Sequence, residues 1–575
     1  MPHSLPPVFR FFWPSYSCSL FPLMSTSAET LTSPEKPSLD KELKPEVTEV
    51  TESTKSEGDE IEYPTGIRLA LLTLALCLSV FLVALDNTII AVAIPQITNQ
   101  FHSLDDVGWY GSSYLLTTAA TQLLFGKFYT FLPVKWTYVT AITIFEIGSA
   151  ICGAAPNSSA LIIGRAIAGL GSAGIFSGAL IILANTVPLE RRPIYTGLVG
   201  GMYGIASVAG PLMGGAFTDS KLTWRWCFYI NLPVGAVTLA VVIFLFKMPK
   251  RHDIIENIPS SFTGRLALFD PLGTVLFIPA IVCILLALQW GGSKYAWGSG
   301  TIIALLVVFG VLICAFIAIQ IWKQESATIP PRIAKQRSIW SGAIYIFCIG
   351  GAFFILNFYL PLWFQAIRGV SAVHSGIDNL PLILAVVIAS VLAGGLITAI
   401  GYYAPFMILS AVLTAIGTGL ISTLKVNSNH TKWMPYEIIC GLGIGLGMQQ
   451  PMLAAQAVLD LKDVPTGTSI IMFANTLGGA LFISIGQNVF TNKLIDGLVA
   501  HVPGINPSLV LSAGATSLKN AVDVADLPGV LLAYNDALVA AFYAGTAMAC
   551  LSIVGALTIE WVNIKGKNIE MAVAG

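Results

Sequence analysis

The chain has 575 residues, of which 55% are hydrophobic and only 11% are charged, and its mean hydropathy is +0.77. A soluble domain carries about 25% charged residues, so this chain has too little charge to cover a soluble surface. Its net charge of -1 gives no attraction for the phosphates of nucleic acids. The composition excludes a cytosolic enzyme, a disordered scaffold and a nucleic-acid-binding protein, and it indicates an integral membrane protein.

The first 66 residues differ in composition from the rest of the chain. Residues 1–66 carry 11 acidic and 5 basic residues, and from Met24 to about Pro64 the segment is mostly Ser, Thr, Glu, Lys and Pro. Such a segment cannot bury enough apolar area to offset the entropy lost on ordering. We therefore expect residues 1–66 to form a disordered acidic tail in the cytoplasm.

Beyond residue 66 the chain is dominated by apolar stretches of about 20 residues, the length of a helix that crosses a bilayer. The sequence predicts fourteen helices, at 67–93, 107–130, 137–155, 160–184, 194–217, 226–246, 270–290, 300–322, 340–364, 377–400, 404–424, 435–458, 464–490 and 538–562. Most connections are short. The longer ones are 247–269 and the predicted external loop 491–537.

The Lys and Arg residues of the loops indicate the orientation, because cytoplasmic loops are enriched in both. With a cytoplasmic N-terminus, the inner loops and the C-terminal tail 563–575 hold 15 Lys and Arg, against 8 in the outer loops. Both termini are therefore expected in the cytoplasm. The glycosylation sequons at Asn157 and Asn429 then lie outside, and Asn429 is the better acceptor because Asn157 is close to the membrane.

Few ionisable residues lie within the predicted helices, where a charge is costly and is often functional. Asp86 lies in helix one, Glu146 in helix three and Arg165 near the start of helix four. A buried carboxyl near an Arg could bind and release a proton, so these three are candidates for proton coupling. The alternative is a static ion pair. Glu437 and Glu560 lie near the membrane interface, where a structural role is favoured.

Glycines in helix four match the sequence pattern of a nucleotide-binding loop but not its structural context. Residues Gly169–Gly174 read G-x-G-x-x-G, but a dinucleotide-binding loop must follow a strand and open a helix. Here the glycines lie inside an apolar helix, where they allow a neighbouring helix to approach closely. We therefore discard a dinucleotide site.

Helix five carries a row of glycines interrupted by a proline. The residues concerned are Gly204, Gly210, Pro211, Gly214 and Gly215. Glycines at this spacing form a groove on one helix face, and Pro211 removes a backbone hydrogen bond and favours a bend. The row fits either simple close packing or a hinge between parts that move.

Polar side chains in the C-terminal part of the chain are candidates for a substrate cavity. Helix nine presents Asn357 and Trp363, and helix twelve presents Gln449 and Gln450 where glycines and Pro451 interrupt it. A mostly apolar cavity with a few amides suits a neutral, amphipathic organic molecule. Ordinary helix packing or an interfacial aromatic belt is the alternative for the aromatic residues.

Several of these segments resemble the motifs of the major facilitator superfamily, and within it the fourteen-helix drug:proton antiporters. Leu85–Pro95 resembles the helix-one motif of that group, and Arg165–Gly171 its R-x-x-x-G-x-G motif. Gly200–Gly215 is similar to its antiporter motif, and Trp224–Gly235 is also typical. In the loop after helix two, Gly126–Trp136 departs from the family pattern because the usual Asp and the Arg after it are absent.

The resemblance implies an all-α integral membrane protein of the major facilitator fold. Six-helix bundles at 67–246 and 340–562 would flank an inserted helix pair within 247–322, and the halves would rock around a central site. The chain would be a monomeric proton-coupled exporter of a toxin, secondary metabolite or drug, as in fungal efflux pumps, in the plasma membrane or alternatively a vacuolar or vesicle membrane. Its partners would be the small molecule, protons and lipid, with no cofactor beyond the proton gradient.

Other functions are less consistent with the residues. An importer or facilitator of sugars or siderophores would have the same fold and stays an alternative. An intramembrane enzyme would need paired His or carboxylates, but the six His lie in the tail or loops. The nine Cys form no C-x-x-C pair, so no metal site is predicted. No G-x-x-x-x-G-K-[ST] loop is present for a primary pump.

Overall fold

A computed structural model describes residues 64–102, 106–218, 220–246, 264, 267–292, 294–507, 510–511, 518 and 522–565. The predicted acidic tail therefore lies outside the described residues, apart from its last three positions. Most of the predicted connection 247–269 and the end of the C-terminal tail also lie outside them.

Long helices dominate the residues that the structure describes, and pairing of strands is limited to two isolated β-bridges. The long helices are α1 (Gly66–Phe101), α2 (Val107–Phe131), α3 (Val134–Ala154), α4 (Ser158–Thr186), α5 (Arg192–Thr218), α6 (Asn231–Leu245), α7 (Pro271–Trp290), α8 (Gly300–Lys323), α9 (Arg337–Trp363), α10 (Leu380–Ile400), α11 (Ala404–Ile421), α12 (His430–Val458), α13 (Val464–His501) and α14 (Leu527–Thr558). The predicted all-α fold is confirmed.

Thirteen helices among the described residues are long and apolar enough to cross a membrane. The remaining one, α2, has 25 residues and is long enough but more polar. Its Thr118 and Gln122 line a cavity in the middle of the protein. The lower hydropathy of α2 thus reflects a helix that faces polar space as well as its neighbours.

Several helices extend beyond the stretches predicted from hydropathy. The first helix continues to Phe101, α13 continues to His501, and α14 begins at Leu527 with a proline in its first turn. Much of the predicted loop 491–537 is therefore helical. Apolar composition marks only the part of a helix that lies in lipid, whereas backbone hydrogen bonding continues past that boundary.

The helices pack as two groups. In the first, α1 packs on α5 and α4 packs on both α2 and α3; in the second, α9 packs on α13 and α14, and α12 packs on α10 and α11. Gly171 explains one close approach, since a Cβ there would overlap the backbone of Phe145 on α3. The glycines of α4 therefore serve helix packing.

The two groups meet along two helix pairs, α2 with α13 and α5 with α10. At one end of the molecule, a Cβ on Gly126 would lie 2.6 Å from Ser469 Oγ, and Ser390 Oγ donates to the Gly197 carbonyl at 3.3 Å. Nearer the same end, a Cβ on Gly394 would lie 2.5 Å from the Pro193 carbonyl. The halves are thus in direct contact at the end that carries the connection between α2 and α3.

The inserted pair, α7 and α8, is fastened by the fully buried carboxylate of Asp270. This residue caps α7 by accepting from the Gly273 amide at 3.0 Å. It also accepts from Lys323 at 2.8 Å and Gln320 at 3.0 Å, and from the Thr328 amide at 2.9 Å. Burial opposes ionisation, but these hydrogen bonds outweigh it and lower the pKa of Asp270 below its ordinary value.

We expect Asp270→Ala to destabilise the protein by about 3 kcal/mol, because Lys323 and the other donors lose a buried acceptor. The midpoint of unfolding of the purified chain in mixed micelles measures this change. Since the pKa of Asp270 is lowered, its stabilisation is complete above about pH 5 and is lost only on acidification. The difference from the unchanged chain should therefore be constant around neutral pH.

Glu325→Ala is the matched control. Glu325 forms an exposed ion pair with Arg332 at 3.2 Å, and such pairs contribute less than about 1 kcal/mol. Equal destabilisation by the two variants would show that the Asp270 network does not fasten the inserted pair.

Candidate functional site

An ion pair joins α1 to α4 in the interior of the first group of helices. Asp86 and Arg165 are both fully buried, and Arg165 Nη1 donates to Asp86 Oδ2. Arg165 Nε also donates to the Tyr110 carbonyl at 2.8 Å. The structure thus brings together two of the three residues predicted for proton coupling, and each charge is compensated by the other.

The pair depends on a close approach between α4 and α2. A Cβ on Gly169 would overlap the Tyr114 carbonyl and the Thr117 hydroxyl, so only glycine lets α2 lie this near. The approach places the guanidinium of Arg165 4.4 Å from the centre of the Tyr114 ring. The R-x-x-x-G-x-G motif therefore has two roles: its Arg165 is the cation, and its Gly169 lets the Tyr114 ring lie against that cation.

A buried amide completes the surroundings of Asp86. Asn231, at the start of α6, donates through Nδ2 to Asp86 Oδ1 at 3.3 Å and to Ser149 Oγ on α3 at 3.0 Å. Asn231 is not among the site residues predicted from the sequence. Its only signal was its position inside the Trp224–Gly235 motif.

Glu146 lies near this group but not in it. It is on α3, one turn before Ser149, and neither carboxyl oxygen has a hydrogen-bond partner. A Cβ on Gly235 of α6 would overlap its carboxyl. The structure therefore places Glu146 beside Asp86 and Asn231 without a direct bond to either, and its part in proton coupling stays a prediction.

The glycine–proline row of α5 lies between two helices. Gly210 and Gly214 face α1, where a Cβ on Gly210 would overlap Thr88. Gly204 faces Val387 on α10, and a Cβ on Gly215 would lie 3.2 Å from Val373. Helix α5 continues without a break through Pro211. The row thus packs α5 against the helix that carries Asp86 and against the second half of the molecule.

A cavity lies between the two halves, with about 660 Å³ of empty space including its open side. Helices α1, α2, α4, α5, α9, α12 and α13 contribute to its wall. The lining residues are Val83, Asn87, Tyr114, Leu115, Thr118, Gln122, Ser172, Phe176, Gly200, Tyr203, Phe354, Met448, Gln449, Met472, Asn475 and Thr476. Apolar and aromatic groups with a few amides suit an amphipathic organic ligand.

Only one of the four predicted cavity residues lines this space. Gln449 does so, at the interruption of α12. Trp363 is buried and donates to Asn535 at 2.9 Å, Gln450 bonds to the Leu446 carbonyl at 3.0 Å, and half-buried Asn357 is not among the lining residues. These three residues do not line the cavity of this structure. Their contact with a substrate stays a prediction.

Three amides that line the cavity were missed, namely Asn87, Gln122 and Asn475. Each is an amide inside an apolar helix, which is a weak signal by itself. Tyr114 has a further importance, because it lines the cavity and also stacks on Arg165. The cavity and the ion pair therefore share one side chain.

The remaining candidates lie away from this site. Asn157 caps α4 by accepting from the Ala160 amide at 2.9 Å, Asn429 is exposed, and glycosylation of either stays a prediction. Glu560 accepts from Ser338 at 2.7 Å and so joins α9 to the end of α14. Glu437 is buried in α12 with unpartnered carboxyl oxygens. Among the described residues, no three His, Cys, Asp or Glu lie together as a metal site would require.

Comparison with known proteins identifies similar sequences and folds. The family model of the Major Facilitator Superfamily matches residues 76–483. The chain is 59% identical to the "MFS-type efflux pump MFS1" of Arthroderma benhamiae over 91% of this chain and 97% of that protein. It is 50% identical to the "Efflux pump aflT" of Aspergillus parasiticus over 87% of this chain and 97% of that protein.

Solved structures show the same fold at low identity. The proton:xylose symporter XylE, bound to 6-bromo-6-deoxy-D-glucose, matches with a TM-score of 0.54 and 13% identity, over 85% of this chain and 94% of that one. The human organic anion transporter MFSD10 matches with a TM-score of 0.53 and 12% identity, over 84% of this chain and 100% of that one.

We expect Gly210→Leu to disrupt the packing of α5 on α1, because the added side chain would overlap Thr88. Forcing extra atoms into a packed interior costs about 1–3 kcal/mol. Thermal unfolding of the purified variant in detergent measures the loss, and Gly210→Ala should show a smaller one.

Gly310→Leu on α8 is the control for this substitution, since a Cβ there would meet nothing within 4 Å. The packing role of Gly210 would be refuted by unfolding temperatures that are the same for the two leucine variants.

Proposed function

This chain belongs to the Major Facilitator Superfamily, and on that premise we propose that it is a proton-coupled transporter that exports a small amphipathic organic compound. The resemblance drawn from the motifs is thereby confirmed. The observation that carries the proposal is the shared side chain of Tyr114, which lies against the Asp86–Arg165 pair and also lines the central cavity. Proton binding and substrate binding thus have a common neighbour.

Export is favoured over import by the relatives. The proteins that match over most of their length carry names such as efflux pump, and the composition of the cavity suits an amphipathic toxin or secondary metabolite. XylE, named a symporter, is only 13% identical and supports the fold alone. Chemistry on the substrate is not needed for this function, so no enzymatic activity is proposed.

The ion pair provides a means of coupling. While Asp86 is ionised, it compensates Arg165 and holds α1 against α4. A proton on Asp86 removes that compensation and leaves a buried cation, whose cost favours a rearrangement. Because Arg165 also contacts Tyr114 and the Tyr110 carbonyl on α2, the rearrangement would reach a helix that faces both the cavity and the second half of the molecule.

Alternating access would follow from rocking at the two interfaces between the halves. In this structure α2 meets α13 and α5 meets α10 at the end that carries the α2–α3 connection. With both termini cytoplasmic, as the Lys and Arg distribution favours, that end is the cytoplasmic one. The state described here would then have the cytoplasmic ends of the two halves in contact with each other.

We also propose where and how the chain acts. It is a multi-pass membrane protein, and export of a toxin requires the plasma membrane, with storage in a vacuole or vesicle as the alternative. The coupling groups and the cavity all lie within one chain, which fits a monomer. The energy source would be the proton gradient, without a further cofactor.

Asp86→Asn should abolish proton-driven transport while the protein still folds, because the amide cannot exchange a proton. Movement of rhodamine 6G, an amphipathic organic dye, against its gradient in pH-clamped vesicles measures the effect. Transport should fall to the level of vesicles without the protein.

Asp536→Asn makes the same change at an exposed position, where the side chain is 65% accessible, and should transport the dye as the unchanged chain does. Undiminished uphill transport by Asp86→Asn would remove Asp86 from the mechanism.

A further inference from the structure

The segment Trp224–Gly235, which follows α5 and includes the start of α6, is not among the residues that line the cavity, yet it makes several directed contacts. Trp224 is buried and donates through Nε1 to Gln100 Oε1 at 2.8 Å. Its ring also lies edge-to-face on Phe101, with the centroids 5.7 Å apart. Gln100 and Phe101 are the last residues of α1, so the first residue of the segment is fixed to the end of the helix that carries Asp86.

The next residue is fixed to a different helix. Arg225 Nη1 donates to the carbonyls of Gly153 and Ala155, both at 2.8 Å, at the C-terminal end of α3. A cation at the C-terminus of a helix is favourable for the helix dipole as well. Its guanidinium also lies 4.7 Å from the Trp224 ring, so the two anchors support each other.

Between these anchors and Gly235, the segment presents the amide of Asn231 to the ion pair. Asn231 is fully buried, and its Nδ2 donates to Asp86 on α1 and to Ser149 on α3. The same two helices are held by Trp224 and Arg225. One short segment therefore sets the positions of α1, α3 and the amide together.

Two polar atoms of Asn231 and Arg165 form no hydrogen bond in the structure. Asn231 Oδ1 and Arg165 Nη2 are buried and have no hydrogen-bond partner, and a buried unpaired polar atom is costly. An amide offers donors on its nitrogen and acceptors on its oxygen. Ionised Asp86 needs a donor, which Nδ2 supplies, whereas protonated Asp86 has an O–H that needs an acceptor.

We propose that Asn231 is the positioning residue of the proton site: its NH₂ group holds the Asp86 carboxylate, and its carbonyl, after rotation of the amide, accepts the O–H of protonated Asp86. The segment Trp224–Gly235 holds Asn231 in place for both states. No covalent bond other than the O–H of Asp86 is made or broken. The inference rests on the proposed function, because it requires Asp86 to bind the transported proton.

Other titratable groups surround the site, and their protonation would also contribute to any effect of pH. They are Arg165 on α4, Tyr114 on α2, Glu146 and Cys152 on α3, Tyr203 on α5 and Cys227 before α6. Of these, only Arg165 bonds to the Asp86 side chain. Asn231 is thus the second side chain that bonds to Asp86 directly.

Infrared difference spectroscopy of the full chain in liposomes, between acid and alkaline pH, tests the proposal without a substrate. The carbonyl band of protonated Asp86 is identified by its loss in Asp86→Asn. In Asn231→Leu this band should move to higher wavenumber, because the acid has lost its hydrogen-bond acceptor. The pH profile of rhodamine 6G transport should also shift in Asn231→Leu.

Asn535→Leu is the matched control, since it removes a buried amide of the second half that bonds to Trp363 and the Leu424 carbonyl. It should leave the Asp86 band in place. Asn231→Ala removes the amide without adding bulk and replaces Asn231→Leu if the leucine variant does not reconstitute into liposomes. The Asp86 band should move to higher wavenumber in this variant too.

The outcomes separate the two proposals. If Asp86→Asn removes no pH-dependent carboxyl band, Asp86 is not the proton site, and the proposed coupling fails with it. A band that vanishes in Asp86→Asn but is unmoved in both Asn231 variants would overturn the role of Asn231 alone.

Discussion

A charge in an apolar interior must be compensated where it stands, and the first half of this protein is arranged to meet that requirement for Asp86 and Arg165. The pair bonds directly, yet each residue has further bonding capacity that the neighbouring helices must fill. Helix α2 supplies a carbonyl and an aromatic ring, and α6 supplies an amide. The glycines of α4 and α5 allow the helices to come near enough for these contacts.

Much of this arrangement is readable in the sequence, because a bilayer imposes strong rules. Apolar runs of about 20 residues predict helices, and a charge inside one stands out, as Asp86 and Arg165 do. The partners of those charges are not readable in the same way. Asn231 lies 145 positions from Asp86 along the chain, and nothing local in its sequence indicates which helix it faces.

The cavity shows the same limit in another form. Gln449 and Gln450 are adjacent, but α12 is interrupted at Met448 and Gln449 and resumes at Gln450. Gln449 lines the cavity, whereas Gln450 bonds to the Leu446 carbonyl. Trp363 has the aromatic character expected of a ligand contact, yet it bonds to Asn535 on α14. Which of several polar side chains reaches a cavity depends on helix rotation, and a pattern of amino acids does not fix that rotation when a helix is buried on all sides.

The end of α2 shows how a departure from a family pattern is accommodated. The segment Gly126–Trp136 lacks the Asp and the following Arg of the family pattern but keeps Lys127 and Lys135. Phe128 and Phe131 pack edge-on against Phe269, with centroids 5.5 and 6.1 Å away. Asp270 follows directly and fastens the inserted pair, and Arg332 bonds to Asp463 at the start of α13. Aromatic packing and other ion pairs therefore join these helices. The contact between Gly235 and Glu146 has a consequence for evolution of the sequence. A side chain at position 235 would meet the Glu146 carboxyl, which must then turn away or be replaced by a shorter residue. Substitutions at position 235 should therefore favour a change at position 146.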